Sequence, residues 1–257
     1  MANKEKESAR RKLRSIIRTD GAEEGSRCGN YVGVVVALDI DEVLALVHPV
    51  MIELYNKKNG THYTIRDHTD WDFRNIGSNY LEMMTHYTDA WQNHWKEIAL
   101  GGNRKNIIEL GQYFVADIAS ARGHDGITDG GIEGTDRWIS MNKLDWMPYF
   151  YDSTRINKKA MEYTVNVDDS PRLAESFVST DCGFLLLVDK PYNRHIHEDE
   201  RILRVDGIDG ASHELIEAAI DVGREKRLYQ SRAGQRFINE GLGARDAIVA
   251  ESLGMLG

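Results

Sequence analysis

The sequence predicts an α/β fold built on a parallel sheet, and three observations carry that prediction. Tyr31 to Leu38 is a β-branched apolar run, too short for a helix, and it reads as a strand buried on both faces. The run ends in Asp39-Ile40-Asp41-Glu42 and passes into an apolar-periodic segment from Val47 to Tyr55, giving strand, acidic loop, helix. Further strand-like runs recur at Phe114–Ala119, Tyr163–Asp168 and Cys182–Asp189 with helical spacings between them.

Taken in order, residues 1–30 read as a basic arm and linker. Lys4, Lys6, Arg10, Arg11, Lys12, Arg14 and Arg18 face only Glu5 and Glu7. Leu13, Ile16 and Ile17 form a thin apolar stripe that permits a short helix, and the segment is expected to be a solvated arm. Residues 31–210 form the core, interrupted at about 47–105 by an insert rich in aromatic residues. Leu81, Met84, Tyr87, Trp91 and Trp95 have helical spacing there, and Gly101-Gly102-Asn103 closes the insert.

Beyond it, Ile107–Tyr113 predicts a helix and Phe114–Ala119 a strand ending at Ser120. The Gly-rich stretch from Gly123 to Thr135 predicts a long loop or flap. Strands follow at Trp146–Tyr151, Tyr163–Asp168, Cys182–Asp189 and Arg201–Val205. Ser212 is placed to cap a helix from His213, and residues 211–257 read as a helical extension.

Composition narrows the class. The chain of 257 residues carries a formal charge of −9, which argues against non-specific coating of nucleic acid or anionic membrane. An apolar fraction of 41% supports a real core, and no apolar run is long enough to span a bilayer. The charged start of the chain does not read as a secretory signal, and Cys28 and Cys182 are too few for a disulfide framework. A cytoplasmic protein is expected.

Ligands of an open parallel sheet bind beyond the carboxyl ends of its strands. There the predicted strands deliver Asp39 and Asp41, then Ser120, then Asp168 and Asp169, with Lys158 and Lys159 in the connection before the last pair. Carboxylates converging in one crevice repel one another unless a cation compensates. Mg²⁺, a hard ion that takes oxygen ligands and leaves positions for water and phosphate, suits them. A hydroxyl and a lysine supply partners for the remaining phosphate oxygens.

In that order these motifs resemble the haloacid dehalogenase-like (HAD) phosphohydrolase superfamily, over roughly residues 31–210. The resemblance rests on Val34 to Leu44 around Asp39-Ile40-Asp41, on Phe114 to Ser120 with Arg122 following, on Lys158 or Lys159, and on Val165-Asn166-Val167-Asp168-Asp169-Ser170-Pro171. The last stretch, the later Asp189-Lys190-Pro191-Tyr192-Asn193-Arg194 and the position of the insert look most like the 5′(3′)-deoxyribonucleotidase-like branch. Glu42 departs from the pattern, standing where the family often has glycine.

The resemblance implies a Rossmann-like parallel sheet with a small helical cap inserted after the first strand. It implies a Mg²⁺-dependent phosphomonoesterase acting on nucleoside or deoxynucleoside 5′-monophosphates. Asp39 would be the nucleophile that forms an aspartyl-phosphate, and Asp41 the general acid and base. Mg²⁺ would be held by Asp39, the Asp41 carbonyl and Asp169 or Asp168, while Ser120 and Lys158 would bind the transferring phosphoryl group. Arg122 and Lys159 are candidate phosphate contacts. Trp71 and Phe73 are candidates to stack on a base, the competing role being the cap's own core. His195 and His197 read as surface histidines. Two alternatives stand beside this reading: a phosphatase of nucleic-acid 3′ ends, which would give the basic arm a purpose, and a catalytically silent nucleotide- or partner-binding protein.

Overall fold

The computed structural model describes residues 2–20, 31–120, 129–151, 163–177 and 183–230. Its strands are β1 (Tyr31–Leu38), β2 (Ala45–Leu46), β3 (Ala99–Leu100), β4 (Phe114–Ala119), β5 (Tyr149–Phe150), β6 (Val165–Asp168), β7 (Phe184–Val188) and β8 (Ile202–Val205). Six of them form one parallel sheet in the order β5-β4-β1-β6-β7-β8. The fold is α/β and Rossmann-like, as the sequence predicts. All residues of β6 and β7 are buried, which is why these strands read as unbroken apolar runs rather than alternating ones. The chain winds outward from β1 through β4 to β5, then crosses back to β6 and continues to β8. Its switch point therefore lies between β1 and β6.

The helices are α1 (Ala2–Asp20), α2 (His48–Asn59), α3 (Tyr80–Asn93), α4 (Arg104–Tyr113), α5 (Asp129–Met141), α6 (Pro171–Phe177) and α7 (Gly207–Gln230). One face of the sheet, with Val34, Val36, Leu38 and Leu186, packs on Leu13 and Ile17 of α1, Ile107 and Leu110 of α4 and Leu215 of α7. On the other face Leu173, Ala174 and Phe177 of α6 cover Leu185, Leu187 and Ile202.

The basic segment is not a solvated arm. Ala9, Leu13 and Ile17, one helical turn apart, are fully buried, so α1 is a layer of the core. Its charges meet acids distant in sequence: Arg10 pairs with Glu214 and Arg14 with Asp221, each at 2.9 Å. Counting local charge could not reveal those partners. The C-terminal helix is likewise no separate extension. It starts at Gly207, and Ser212 lies buried inside it rather than capping it. Residues 231–257 and the linker 21–30 lie outside the described residues.

The Gly-rich stretch is corrected as well. Its described part is helical, because α5 runs through Gly130, Gly131 and Gly134. A Cβ at Gly134 would sit 1.7 Å from the carbonyl oxygen of Trp91, so α5 meets α3 backbone to backbone. That glycine is a packing requirement, not a loop signal. Strand β5 is shorter than the expected Trp146–Tyr151 because Met147 N–H closes a turn on the Leu144 carbonyl and Pro148 has no N–H to give.

The cap leaves and re-enters the core through a neck in which β2 and β3 pair antiparallel, Ala45 opposite Leu100 and Leu46 opposite Ala99. Gly101 donates to the Leu44 carbonyl at 2.7 Å, and a Cβ there would lie 2.0 Å from the Val43 oxygen. The insert is thus bounded by the neck, and α4, which begins at Arg104, belongs to the sheet layer, as the expected helix Ile107–Tyr113 does. Within the cap, the Asn79 side chain accepts from Glu82 N and starts α3. Trp91 of α3 meets Trp138 of α5 edge to face, 6.1 Å between ring centres, and Trp138 Nε1 donates to the Ile98 carbonyl at 2.8 Å.

Candidate active site

Strand register assembles the site. Leu38 lies beside Ile118 of β4 and Val167 of β6, so the residues that follow, Asp39, Ser120 and Asp168-Asp169, emerge together at the carboxyl edge of the sheet. The Asp39 N–H donates to the Val167 carbonyl at 3.0 Å, continuing the ladder to the last residue before the loop. Ser120 is buried, and its N–H donates to Phe150 at 3.0 Å.

Carboxylate oxygens of Asp39, Asp168 and Asp169 all lie within 4.8 Å of one another. Asp168 and Asp169 are buried and Asp39 is half-buried. Burial, then the charges of Asp168 and Asp39, push the Asp169 carboxyl well above the usual carboxylate range. Three hard oxygen donors at the switch point, mutually destabilised when ionised, fit a divalent cation, whose charge would remove that penalty. No histidine or cysteine belongs to this group among the described residues. The Asp168 carboxylate also accepts the Ser170 N–H at 2.8 Å, which fixes the turn into α6.

Asp41, two residues beyond Asp39, points to the cap. The phenol of Tyr87 on α3 donates to its Oδ2 at 2.6 Å. Between Asp41 and the neck, Glu42 adopts a left-handed backbone with φ of 57°, the conformation that explains why glycine suits this position. Its side chain is buried, accepting from His48 N–H at 2.8 Å and from Lys190 Nζ at 3.0 Å. Burial raises the Glu42 carboxyl, and Lys190 opposes that rise.

The turn after β7 supports Asp169 from behind. Tyr192 donates its hydroxyl to Asp169 Oδ2, and Asn193 Nδ2 donates to the Asp169 carbonyl at 2.8 Å and the Val188 carbonyl at 2.7 Å. Arg204 locks Asn193 in turn, bonding its side-chain oxygen at 2.7 Å and its carbonyl at 3.1 Å. Burial and the neighbouring Asp169 push the Tyr192 phenol well up, so it remains a donor.

Against Tyr192 packs a segment of the cap. His68 stacks on Phe73, 3.9 Å between ring centres, and lies 4.6 Å from the Tyr192 ring, while His48 meets His68 edge-on at 4.9 Å. Burial drives both imidazoles down to about 3, so they are neutral. Phe73, a candidate for base stacking, is buried in this cluster and its ring is occupied by His68. Of its two expected roles it takes the core one. Trp71 stays half-buried, edge-on to Tyr192 at 5.2 Å. Arg172 at the start of α6 crosses to Asp72 of the cap at 2.9 Å.

The structure therefore brings Asp39, Asp168 and Asp169 together, with Ser120 on the same edge and Asp41 on the loop above. Arg122, Lys158 and Lys159 lie outside the described residues. His195 and His197 are exposed. Sequence reasoning missed the roles of Tyr87, Lys190 and Tyr192, although Lys190 and Tyr192 stand in a stretch it had singled out. Among the described residues no helix is long and apolar enough to cross a membrane.

The family described as "5' nucleotidase, deoxy (Pyrimidine), cytosolic type C protein" matches residues 33–215. A solved structure, a haloacid dehalogenase-like family hydrolase from Xanthomonas campestris, is similar at 12% identity with a TM-score of 0.42, covering 75% of this chain and 94% of that one. No curated protein sequence matches significantly.

Proposed function

Because the chain belongs to the cytosolic type C 5′ nucleotidase family and is thereby a HAD-like phosphoric monoester hydrolase, we propose that it removes phosphate from nucleoside or deoxynucleoside 5′-monophosphates in a Mg²⁺-dependent reaction. The observation that carries this reading is the convergence of Asp39, Asp168 and Asp169 at the switch point, with Asp41 beside them in the loop.

In this reading Asp39, half-buried and held by its N–H on Val167, attacks phosphorus and forms an aspartyl-phosphate as the ester oxygen leaves. Asp41 gives the leaving oxygen a proton, then takes one from the water that cleaves the acyl phosphate and regenerates Asp39. Tyr87 fixes the direction of the Asp41 carboxylate. Asp39, the Asp41 carbonyl, Asp169 and Asp168 would hold Mg²⁺, which when bound neutralises the phosphate and the clustered carboxylates. Ser120 and Lys158, with Arg122 and Lys159 as further contacts, bind the phosphoryl oxygens, and Trp71 is the cap aromatic left to face a base.

The nucleic-acid 3′-end reading loses its main support, since Arg10 and Arg14 of the basic segment are engaged by Glu214 and Asp221. The test is a panel of mononucleotides beside a 3′-phosphorylated oligonucleotide, with Mg²⁺ or with chelator, on wild type and Asp39→Asn. Metal-dependent release of phosphate from mononucleotides, lost in Asp39→Asn, is expected. Turnover that survives the substitution, or an oligonucleotide preferred over every mononucleotide, would overturn the proposal.

A further inference from the structure

We propose that the buried Glu42–Lys190 pair is a positioning device that ties the catalytic loop, the first helix of the cap and the loop supporting Asp169 into one unit. The inference rests on the function proposed above and adds residues to it.

Glu42 sits in a left-handed backbone, a conformation that strains a non-glycine residue and persists only where its surroundings fix it. Around it the chain turns tightly: Glu42 N–H donates to Ala45 at 2.7 Å, and Ala45 N–H returns to Ile40 at 2.7 Å. The side chain is 1% exposed and has two partners on two different elements. Its Oε1 accepts the N–H of His48, the first residue of α2. Val47, the residue before α2, provides no side-chain cap, so Glu42 satisfies that helix end from six residues away. Its Oε2 accepts from Lys190 Nζ.

Lys190 opens the turn Pro191–Asn193, and its own N–H donates to Asn193 Oδ1 at 3.1 Å. The two residues that follow Pro191 are those that hold Asp169, Tyr192 through the carboxylate and Asn193 through the carbonyl. One carboxylate thus links the residue after Asp41 to the support of Asp169. A glycine here would accept the backbone conformation and provide none of these links.

Removing Lys190 leaves a buried carboxylate without its cation, close to the site's other acids. Pure electrostatics predicts that losing a nearby positive charge tightens cation binding in the crevice. Loss of positioning predicts the opposite, and this difference separates the two. The experiment compares wild type, Lys190→Met, Lys190→Arg, Glu42→Gln and the double variant Glu42→Gln/Lys190→Met. Each is measured for kcat and KM at saturating Mg²⁺ and, without substrate, for Mn²⁺ affinity by calorimetry, with thermal melts to establish folding.

Lys190→Met should lower kcat about tenfold with KM changed less than about threefold. Its Mn²⁺ binding should weaken, and Lys190→Arg should recover most of both. The double variant should match Glu42→Gln rather than multiply the two losses, because the residues act as a pair. Should Lys190→Met not fold, Glu42→Gln decides the question: its amide retains the His48 bond but opposes the Lys190 ammonium, and the same kcat loss is expected. Unchanged kcat with unchanged or tightened Mn²⁺ binding, or multiplied losses in the double variant, would overturn the inference. If wild type proves inactive on every phosphate ester, the functional reading fails while the Mn²⁺ measurements still decide this one.

Discussion

Tyr87, in the middle of a cap helix, donates its hydroxyl to Asp41 of the core at 2.6 Å across 46 residues of sequence. The bond ties the cap to the loop that carries Asp41. Tyr87→Phe keeps the buried ring and removes only the donor. A charge-assisted bond of this kind contributes about 1.5–3 kcal/mol, so kcat should fall on the order of tenfold or more with a smaller change in KM. Steady-state kinetics checks it, and a change in KM alone would show that the phenol serves binding rather than Asp41.

The carboxylate cluster sets stability against activity. Asp169→Asn retains the Tyr192 bond and removes one of three repelling charges, so turnover should drop on the order of a hundredfold while the metal-free protein melts higher. Each kcal/mol of relief corresponds to about 2–4 °C. The wild-type carboxyl is raised in the folded state, so the native protein retains a proton that the unfolded chain gives up. Metal-free stability must therefore fall as pH rises from the ordinary carboxylate value into the raised range. Melts with chelator should show that slope in wild type and a shallower one in Asp169→Asn.

His48 and His68 act in the opposite direction. Both are driven from 6.5 to about 3 by burial, so the unfolded chain takes up protons that the native state refuses. Stability present above pH 6.5 is lost as pH falls toward 3. His68→Phe preserves the stack on Phe73 and removes one titrating ring. Its melting temperature should fall less than wild type's between pH 6.5 and 4, and parallel curves would contradict the assignment.

Removal of α1 should cost the fold rather than one substrate. Leu13→Ala, at a fully buried position, is expected to cost about 2–5 kcal/mol in denaturant titrations. Arg10→Ala breaks an exposed pair and should cost no more than about 1 kcal/mol. Deleting residues 2–20 should collapse cooperative unfolding and all turnover together. A stable, fully active deletion would show that the helix is dispensable.

The metal candidates and Ser120 were legible because each follows an apolar run, and a run that ends in acid or hydroxyl marks the carboxyl edge of a parallel strand. Asp39, Ser120 and Asp168-Asp169 all carry that signal. Tyr87, Lys190 and Tyr192 do not: an aromatic or a lysine in a polar stretch says nothing of a partner that lies 46, 148 or 23 residues away. Local rules also misread two segments. Glycines in α5 stood for a close helix contact, and the charge of α1 outweighed the stripe of Leu13 and Ile17 that, with Ala9, the core requires.

Helix α3 is joined to α5 with no side chain between Gly134 and the Trp91 backbone, and the two tryptophans lock beside it. A swing of the entire cap would have to tear that seam. Residues 60–79 are seated on the core as well: His68 and Phe73 are buried beside Tyr192, and Arg172 reaches Asp72. The insert is therefore riveted along two edges, one backbone against backbone and the other ring against ring.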